Sequence, residues 1–462
     1  MVYAMAILCC VLFLPYHLLM AADFVSIDSA ESLITRNGVQ ALGSAEASWF
    51  EVKPRSVGDL CSVLSADLRM SSKQNFQEHV FFPGLLDLEA LNENRQNVFI
   101  DFSALTAVRE HVASDLVIAC ETGLTIGQLN RHLSEFGQRF PVDLGHNAND
   151  VALIDLLLSG DGGYLETGFG YLRSQILGLE SVYAGGLVLK SGGRVVKNVT
   201  GFDVTKLVIG SRGAFAFPYL AYLRLAALPE AVSSFSVKSK ANDSTALLAV
   251  SARLLSSGLP LCALEIVEVE SNGDERASGI GIVEYQLIVQ VEGPSQLVAD
   301  LSAQIEVALT GFELKRIDNL EAQKLLTYAL ASASDFCVEA AASLSLLRAL
   351  LENLNNKQGG KLRGKLRVRP ACGRLFLHSS SKEQVDSDLE LLTGILRSCR
   401  QQADGSALAS WEVLTLATRY GLFTGSSKRL TASEPAAIAL YKRIKEKFDP
   451  SLCLNPQANF TG

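Results

Sequence analysis

The sequence predicts an α/β or α+β fold in two or three domains, and three of its features support that expectation. The first is length, because 462 residues are more than one hydrophobic core usually serves. The second is composition, since hydrophobic residues make up 48% of the chain and charged residues 19%, as in globular proteins. The third is the alternation of β-rich runs with helical patterns from about residue 45 onwards.

Two strand–helix units stand out in the first third of the chain. "WFEVK" reads as a short strand that Pro54 ends, and Ser56 is a candidate N-cap for the next helix. "NVFIDFSAL" supplies a β-rich run, and "LVIACETGLTIGQLNRHLSEFG" then combines a strand, a glycine turn and an amphipathic helix that Gly137 is placed to end. The apolar residues at helical spacing in that helix are Ile126, Leu129, Leu133 and Phe136.

Charge and cysteine usage exclude several classes of protein. The formal net charge is −8, and no long Lys/Arg cluster occurs, which argues against a protein that grips nucleic acid through its phosphates. The nine cysteines form no CxxC pair and lack the spacing of zinc or iron–sulfur ligands. We therefore expect reduced thiols, no metal site and small molecules or other proteins as partners.

The N-terminal run "MAILCCVLFLPYHLLMAAD" is strongly apolar and ends in small residues. It lacks a positive n-region, and Pro15 and His17 interrupt it, so three interpretations stay open. They are a weak export signal, a membrane-associating tail and a start codon placed upstream of the real beginning. We give most weight to a dispensable extension over residues 1–45, and we expect a cytoplasmic protein unless this run or a complex attaches it to a membrane.

Residues 160–213 hold thirteen of the 36 glycines of the chain. Glycine leaves no Cβ in the way, so such a stretch suits loops that wrap a phosphate or a planar ring. The competing interpretation is a series of β-hairpins whose turns need glycine for geometry alone. "SVYAGGLVLKSGG" fits such a hairpin, with Gly185 and Gly186 at its tip.

The segment "KNVTGFDVTKLVIGSRGAFAFPYLAYLRLAALPE" favours the first interpretation. It resembles the FAD-binding oxidoreductases of the vanillyl-alcohol oxidase / p-cresol methylhydroxylase (PCMH) type, and most closely the flavin-binding subunits of bacterial glycolate oxidase. The resemblance extends over residues 51–230 and returns in "FDPSLCLNPQ" near the C-terminus. The residues that match the family pattern in this segment are Lys197, Asn198, Gly201, Phe202, Asp203, Gly210, Ser211, Gly213, Leu228 and Pro229.

The resemblance implies an α+β protein with a PCMH-type FAD-binding domain of two α/β subdomains over residues 46–230. Residues 231–440 would form a ferredoxin-like α+β cap domain on the substrate side, and residues 441–462 would return to the FAD domain. The strand patterns "CALEIVEVE", "YQLIVQVEG" and "GRLFLHSSS", each followed by a helical pattern, agree with such a cap.

The resemblance also implies where FAD would bind, in three groups of residues. One segment lies near the flavin and the diphosphate, one loop lines the cleft, and one turn with the strand after it brings backbone groups to the cofactor. Asn455 closes the site from the C-terminal segment. No His or Cys lies where it would link the ring, so FAD is expected to bind noncovalently. The implied residues are Pro141, Val142, Asp143 and Gly145, then Lys197, Asn198, Gly201 and Asp203, then Gly210, Ser211, Gly213 and Phe217, and finally Asn455.

Several departures from the family pattern weaken the flavin side of this prediction. The first phosphate loop keeps only Pro83-Gly84, and "NDVALID" puts Ala152 and Leu153 where glycines would let the backbone approach the flavin. Ala214-Phe215-Ala216 and Arg173-Ser174 also differ from the family. A second hypothesis therefore stands beside the first, namely a flavin-poor, non-catalytic paralogue that is a structural subunit for a catalytic flavoprotein.

The activity implied by the resemblance is FAD-dependent oxidation of a small 2-hydroxy acid such as glycolate. The partners would be a second flavin subunit and an iron–sulfur subunit, whose cluster these cysteines cannot hold. His146 is the one candidate base, because His79, His111, His132 and His378 are isolated in the sequence. The basic run at 357–370 either attracts a substrate carboxylate or forms a solvated turn between strands.

Overall fold

The computed structural model describes most of the chain between residues 40 and 455. The described residues are 40–42, 49–65, 79–83, 96–143, 151–193, 203–238, 243–269, 284–326, 336–341, 343–355, 365–379, 384, 387–388, 390–392, 394–395, 413–418, 430–431 and 435–455. None of the helices in these ranges is both long and apolar enough to cross a bilayer.

The first subdomain is a four-stranded sheet in the order β1-β2-β4-β3. Strands β2, β4 and β3 are parallel, and β1 pairs with β2 in the antiparallel sense. The helix after β2 begins as predicted, since Ser56 accepts a hydrogen bond from the Asp59 N–H at the N-cap. The elements are β1 (Gln40–Leu42), β2 (Trp49–Lys53), α1 (Val57–Leu64), β3 (His79–Pro83) and β4 (Gln96–Ile100).

The second subdomain is a five-stranded antiparallel sheet in the order β5-β6-β10-β8-β9, with a short β7–β11 ladder. We refer to the two subdomains together as the N-terminal domain. The elements are β5 (Val108–Val112), β6 (Val117–Glu121), α2 (Ile126–Ser134), β7 (Gln138–Arg139), α3 (Leu153–Ser159), α4 (Glu166–Phe169), α5 (Leu172–Gln175), β8 (Ile176–Val182), β9 (Val188–Gly192), α6 (Val204–Val208), β10 (Phe217–Arg224) and β11 (Ala226–Ala227).

Two predictions for this subdomain have different outcomes. The hairpin is confirmed, because β8 and β9 pair in the antiparallel sense around Gly185 and Gly186. The assignment of Phe136 to the buried face of α2 is wrong. That helix ends at Ser134, and the chain then turns through Gly137 at φ +66°, so the Phe136 ring is 50% exposed.

The cap is a nine-stranded sheet, and every strand pairing recorded within it is antiparallel. Its first six elements run β-α-β-β-α-β with the strand order β15-β12-β14-β13, which is the ferredoxin-like arrangement that the sequence predicts. Strands β17-β18-β16-β19 repeat that order in mirror sequence along the sheet, so the cap contains the unit twice. The two halves join where β13 pairs with β17.

The cap elements and the C-terminal helix complete the described secondary structure. They are β12 (Ala231–Lys238), α7 (Ser244–Ser256), β13 (Ala263–Val269), β14 (Glu284–Gly293), α8 (Ser295–Ala308), β15 (Glu313–Ile317), α9 (Asn319–Leu326), β16 (Phe336–Ala341), α10 (Leu344–Asn355), β17 (Lys365–Arg369), β18 (Arg374–Ser379), β19 (Val413–Thr418), β20 (Leu430–Thr431) and α11 (Pro435–Phe448).

Separate apolar clusters hold these units together. The largest lies between the cap sheet and helices α7, α8 and α10, with residues such as Phe235, Leu247 and Leu350 fully buried. Another joins the first subdomain to the second and also contains Cys453 and Leu454. The C-terminal segment thus packs into the N-terminal domain rather than onto the cap. The other face of the cap sheet packs against the N-terminal domain around Tyr164 and Leu165.

Candidate active site

The turn over residues 210–213 is held against the end of α3 by backbone contacts. The Gly210 N–H donates to the Leu157 carbonyl at 2.8 Å, and the Arg212 N–H donates to the Leu158 carbonyl at 3.0 Å. A Cβ added to Gly160 would lie 3.0 Å from the Gly210 Cα, so the two backbones meet there. Arg212 itself has φ +56°, a left-handed conformation that non-glycine residues rarely adopt. Strain of this kind persists where surrounding contacts impose it.

The C-terminal segment supplies those contacts. The Asn455 side chain is fully buried and donates from Nδ2 to the Arg212 carbonyl at 2.5 Å. Lys445 on α11 is also buried, and its Nζ donates to the Ala214 carbonyl at 2.5 Å and to Asp449 Oδ2 at 2.7 Å. Asp449 in turn accepts the Leu454 N–H at 2.8 Å. Buried hydrogen bonds therefore join the turn and the C-terminal segment into one unit.

Two buried polar atoms of this unit have no hydrogen-bond partner within the described residues. They are Ser211 Oγ and Asn455 Oδ1. Buried polar atoms are normally paired, because leaving one unpaired costs about 1–3 kcal/mol. Ser211 can donate and the Asn455 amide oxygen can accept. The unit therefore fits a polar cofactor such as FAD, at two of the residues that the sequence predicts.

The segment "NDVALID" has alanine and leucine where the family pattern has glycines, and two of its backbone N–H groups are already hydrogen-bonded. The Leu153 N–H donates to the Leu124 carbonyl at 2.8 Å, and the Ile154 N–H donates to the Thr122 carbonyl at 2.7 Å. Ala152 is the N-cap residue of α3. These N–H groups hold α3 to the turn between β6 and α2, so they do not form an anion-binding nest.

The predicted segment Pro141–Asp143 lies against the glycine stretch. Asp143 forms a parallel β-bridge with Gly163, and its Oδ2 accepts a hydrogen bond from the Tyr164 hydroxyl at 2.6 Å. Burial, together with the Asp143 charge, raises the pKa of Tyr164 well above its usual range. Val142 is buried in the core of the second subdomain. Tyr164 thus stays a neutral donor, and it fixes the Asp143 carboxylate.

The remaining predicted site residues stay predictions. Asp203 is the N-cap residue of α6 and forms an exposed ion pair with Lys206 at 3.1 Å. The Phe217 side chain is fully buried against Phe102, with ring centroids 6.3 Å apart. Gly213 has φ +75° and closes the turn. The others, Gly145, His146, Lys197, Asn198 and Gly201, lie outside the described residues.

The junction between the N-terminal domain and the cap contains a buried cluster of charges, which we call the junction cluster. Glu166 lies at its centre: its Oε2 accepts hydrogen bonds from Arg369 at 3.0 Å and from Arg374 at 2.9 Å. The Oε1 atom of Glu166 accepts the Gly162 and Leu172 N–H groups at 3.1 and 3.2 Å. One carboxylate therefore ties the glycine stretch of the N-terminal domain to two arginines of the cap. The members of the cluster are Asp161, Glu166, Glu265, Arg367, Arg369 and Arg374.

Charge pairing inside the cluster decides its protonation. Arg369 donates from Nε to Glu265 Oε1 at 2.5 Å, and both side chains are buried. Burial opposes the charge of Arg369, but the carboxylates of Glu265, Asp161 and Glu166 outweigh it and raise its pKa. Burial raises the pKa of Glu166 above the ordinary value, although Arg374 and Arg369 pull it down.

Sequence reasoning found only the arginine side of this cluster. The basic run at 357–370 includes Arg367 and Arg369, and the structure places both on a buried strand paired with carboxylates instead of on a solvated turn. Glu166 gave no signal of its own, because its neighbours read as a glycine-rich loop. Its two arginine partners, Arg369 and Arg374, are 203 and 208 residues away in the sequence, a separation that no local pattern reveals.

Two of the described histidines, His111 and His132, are separated in the sequence but lie together in the structure. Their rings are 5.3 Å apart, and both contact Phe136. His111 Nε2 also shares a hydrogen bond with Gln138 at 2.9 Å. His378 on β18 stacks with Phe376. In the described part of the chain, no three His, Cys, Asp or Glu residues are arranged to hold a metal ion.

Comparison with known proteins gives the family context. Residues 73–192 match the FAD binding domain family. Over 388 residues the chain is 25% identical to the mitochondrial D-lactate dehydrogenase (cytochrome) of Arabidopsis thaliana, an alignment that covers 78% of this chain and 65% of the plant protein. Over 125 residues it is 27% identical to the glycolate oxidase subunit GlcE of Escherichia coli, covering 27% of this chain and 35% of that subunit.

The fold is shared with solved structures as well. A structure of alkyldihydroxyacetonephosphate synthase superposes with a TM-score of 0.61 at 15% identity, covering 88% of this chain and 76% of the synthase. At that identity the likeness concerns the fold alone. The predicted cofactor, FAD, is confirmed by the matched FAD binding domain. Residues 73–192 therefore match an FAD binding domain, in a chain that is similar to a D-lactate dehydrogenase and to a glycolate oxidase subunit.

Proposed function

We propose that this protein oxidises a small 2-hydroxy acid such as glycolate, with noncovalently bound FAD. The observation that carries the proposal is the pair of cap arginines, Arg369 and Arg374, held by Glu166 beside the glycine stretch. A guanidinium binds a carboxylate through two parallel hydrogen bonds, and a 2-hydroxy acid presents that group at every chain length. The names of the relatives, a D-lactate dehydrogenase and a glycolate oxidase subunit, support the same substrate class.

The two arginines would have different tasks. The Arg369 side chain is only 3% exposed and pairs with Glu166 and Glu265, so it would stabilise the position of Glu166 and would not bind the substrate itself. The Arg374 side chain is 17% exposed, and its guanidinium lies over the Tyr171 ring at 5.8 Å. Arg374 can therefore reach a ligand that enters from solvent. We assign to Arg374 the binding of the substrate carboxylate. The hydrogen bond from Arg374 to Glu166 would orient the guanidinium for that contact.

The cofactor would be held by the unit of the 210–213 turn and the C-terminal segment. FAD, when bound, supplies the hydride-accepting chemistry. Ser211 Oγ would donate to it and Asn455 Oδ1 would accept from it, and the burial of Asn455 excludes water there. The base that takes the hydroxyl proton is assigned to His146 by sequence, as a prediction.

A second candidate function rests on α3. Because the Leu153 and Ile154 N–H groups bond to carbonyls of the same domain, this side of the cleft contributes less to phosphate binding than the sequence family suggests. A flavin-poor subunit that supports a catalytic flavoprotein is the function this favours. In either case we propose a second flavin subunit and an iron–sulfur subunit as partners, and either a cytoplasmic location or attachment to a membrane through the apolar N-terminus.

A spectrum of the purified chain separates the two functions. The first predicts flavin absorbance near ~450 nm, on isolation or after addition of FAD, and its bleaching by glycolate in the absence of an electron acceptor. A chain that binds no FAD under either condition would exclude the first function and leave the second.

The carboxylate assignment has its own test. Arg374→Gln should raise KM for glycolate about 10- to 100-fold, since a hydrogen bond to a charged group contributes roughly 1.5–3 kcal/mol. The matched control is Arg348→Gln, because Arg348 is an exposed arginine on α10 whose side chain is 67% exposed. An unchanged KM in Arg374→Gln, with FAD bound, would place the substrate elsewhere.

A further inference from the structure

The junction cluster contains one carboxylate that is held differently from the others. Asp161 Oδ1 lies 3.6 Å from Arg369 Nη1 and 3.7 Å from Arg374 Nη1. The same two nitrogens lie 3.0 and 2.9 Å from Glu166 Oε2. Hydrogen bonds between nitrogen and oxygen are about 2.7–3.2 Å long, so Glu166 Oε2 is hydrogen-bonded to both nitrogens, while Asp161 Oδ1 lies beyond hydrogen-bond distance of them.

Burial separates the two carboxylates in the same way. The Glu166 side chain is 1% exposed, whereas that of Asp161 is 38% exposed. Asp161 Oδ1 also accepts the Gly163 N–H at 3.0 Å, which keeps it on its own loop. Water partly screens the charge of Asp161, so its contact with Arg374 is weaker than the hydrogen bond that Glu166 makes to the same nitrogen. Of the two carboxylates, Asp161 is the one that an incoming ligand would displace from Arg374.

Arg374 is the member of the cluster that a ligand from solvent would meet. Its guanidinium is framed by the Tyr171 ring, which is 46% exposed, and by the Asp161 carboxylate. A ligand carboxylate that hydrogen-bonds to Arg374 would come closer than Asp161 does and would gain a charge-assisted bond. It would take the position near the guanidinium that the Asp161 charge now occupies.

We propose that Asp161 competes with the substrate carboxylate for Arg374. It neutralises the Arg374 guanidinium in the free protein, gives way to the substrate on binding, and selects monocarboxylic over dicarboxylic 2-hydroxy acids. The selection follows because the displaced Asp161 stays at the rim of the site, tied to its loop. A second carboxylate on the ligand would face it there, and like charges at close range repel. This inference rests on the proposed function and adds a specificity-determining residue to it.

The test compares Asp161→Asn with the wild type in the full-length, FAD-loaded protein. Asparagine keeps an oxygen for the Gly163 N–H and removes only the charge. The ligands are glycolate, with one carboxylate, and tartronate, with two. Dissociation constants are measured from perturbation of the flavin spectrum and, independently of the flavin signal, from the ligand-induced rise in melting temperature.

The expected result is tighter binding in the variant. The glycolate dissociation constant should fall about fivefold, the size that loss of a weak competing ion pair allows, and the tartronate constant should fall about 20-fold. Asp300→Asn is the matched control for net charge: it is an exposed aspartate on α8, bonded to Gln296, and should leave both constants unchanged.

Two outcomes would overturn the inference, and they are distinguishable. If wild type and Asp161→Asn both fail to bind either acid while FAD is bound, the proposed function is wrong and the inference fails with it. The other outcome is that the wild type binds glycolate, but Asp161→Asn binds each acid with the same affinity as the wild type or with lower affinity. The function then stands, and Asp161 is not a competitor.

Discussion

Glu166→Gln is the substitution that tests the junction cluster most directly. Glutamine has the same shape and keeps one carbonyl oxygen, which can still accept the Gly162 and Leu172 N–H groups. Its amide nitrogen then faces Arg369 and Arg374 in place of Oε2. The substitution thus removes two charge-assisted hydrogen bonds and sets donors against donors.

The size of the effect follows from burial. Both Glu166 and Arg369 are almost completely buried, and removing one partner of a buried ion pair costs about 3–5 kcal/mol. Arg374 is partly exposed and can turn toward water, so it adds less. We expect the free energy of unfolding to fall by about 3–5 kcal/mol, a large share of the roughly 5–15 kcal/mol that holds a typical domain.

Urea unfolding followed by circular dichroism and tryptophan fluorescence measures this loss. Glu321→Gln is the control, because Glu321 forms an exposed ion pair with Lys315 at 2.9 Å and should lose less than about 1 kcal/mol. A Glu166→Gln protein within about 1 kcal/mol of wild type would refute the reasoning, since it would mean that Arg369 and Arg374 are satisfied without this carboxylate.

Three further predictions concern single side chains near the predicted flavin side. Burial, with a contribution from Asp101, raises the pKa of Asp155 from 3.8 to about 6. Its stabilising contribution is therefore present below pH ~4 and is lost as pH rises through ~6. Asp155→Asn should raise the free energy of unfolding by about 3 kcal/mol at pH 8 and leave it unchanged at pH 4, as urea unfolding at both pH values would show. Lys445→Met should lower the free energy of unfolding by about 3–5 kcal/mol and weaken FAD binding about tenfold, since Asp449 stays buried without its cation. An unchanged FAD affinity in a titration would show that the C-terminal segment does not contact the cofactor. His146→Ala should lower turnover about 100-fold with FAD affinity retained, and near-normal turnover would remove His146 as the base.

The sequence was sufficient where the structure depends on local patterns or on ordered motifs. The N-cap at Ser56 and the β8–β9 hairpin are set by neighbours within a few residues, and both are confirmed. The ferredoxin-like cap, which the family resemblance implies and the apolar strand patterns agree with, is also confirmed. Phe136 shows the limit of periodicity: its spacing fits the α2 face, but the helix ends two residues earlier and the side chain is half exposed, against the His111 and His132 rings.

What the sequence could not predict depends on contacts between distant segments. The duplication in the cap is a repeat of strand order, which exists only after the strands have paired. The same holds for Lys445, which reads as one of several basic residues on an amphipathic helix. Its burial follows from carbonyl acceptors at Ala214 and Leu454 that α11 meets only in the folded chain.

Buried charges stabilise the contact between the two cap halves, where β13 pairs with β17. Strands β13 and β17 share only two paired positions, so the backbone ladder between the halves is short. Glu265 and Arg369 face each other across it, and Glu268 accepts the Leu366 N–H at 3.0 Å, so side chains complete what the ladder leaves open. Apolar residues could stabilise the β13–β17 contact equally well, but they would give Glu166 no cation to bind. Because Arg369 bonds to both Glu265 and Glu166, separating the two cap halves would also weaken the contact between the cap and the glycine stretch.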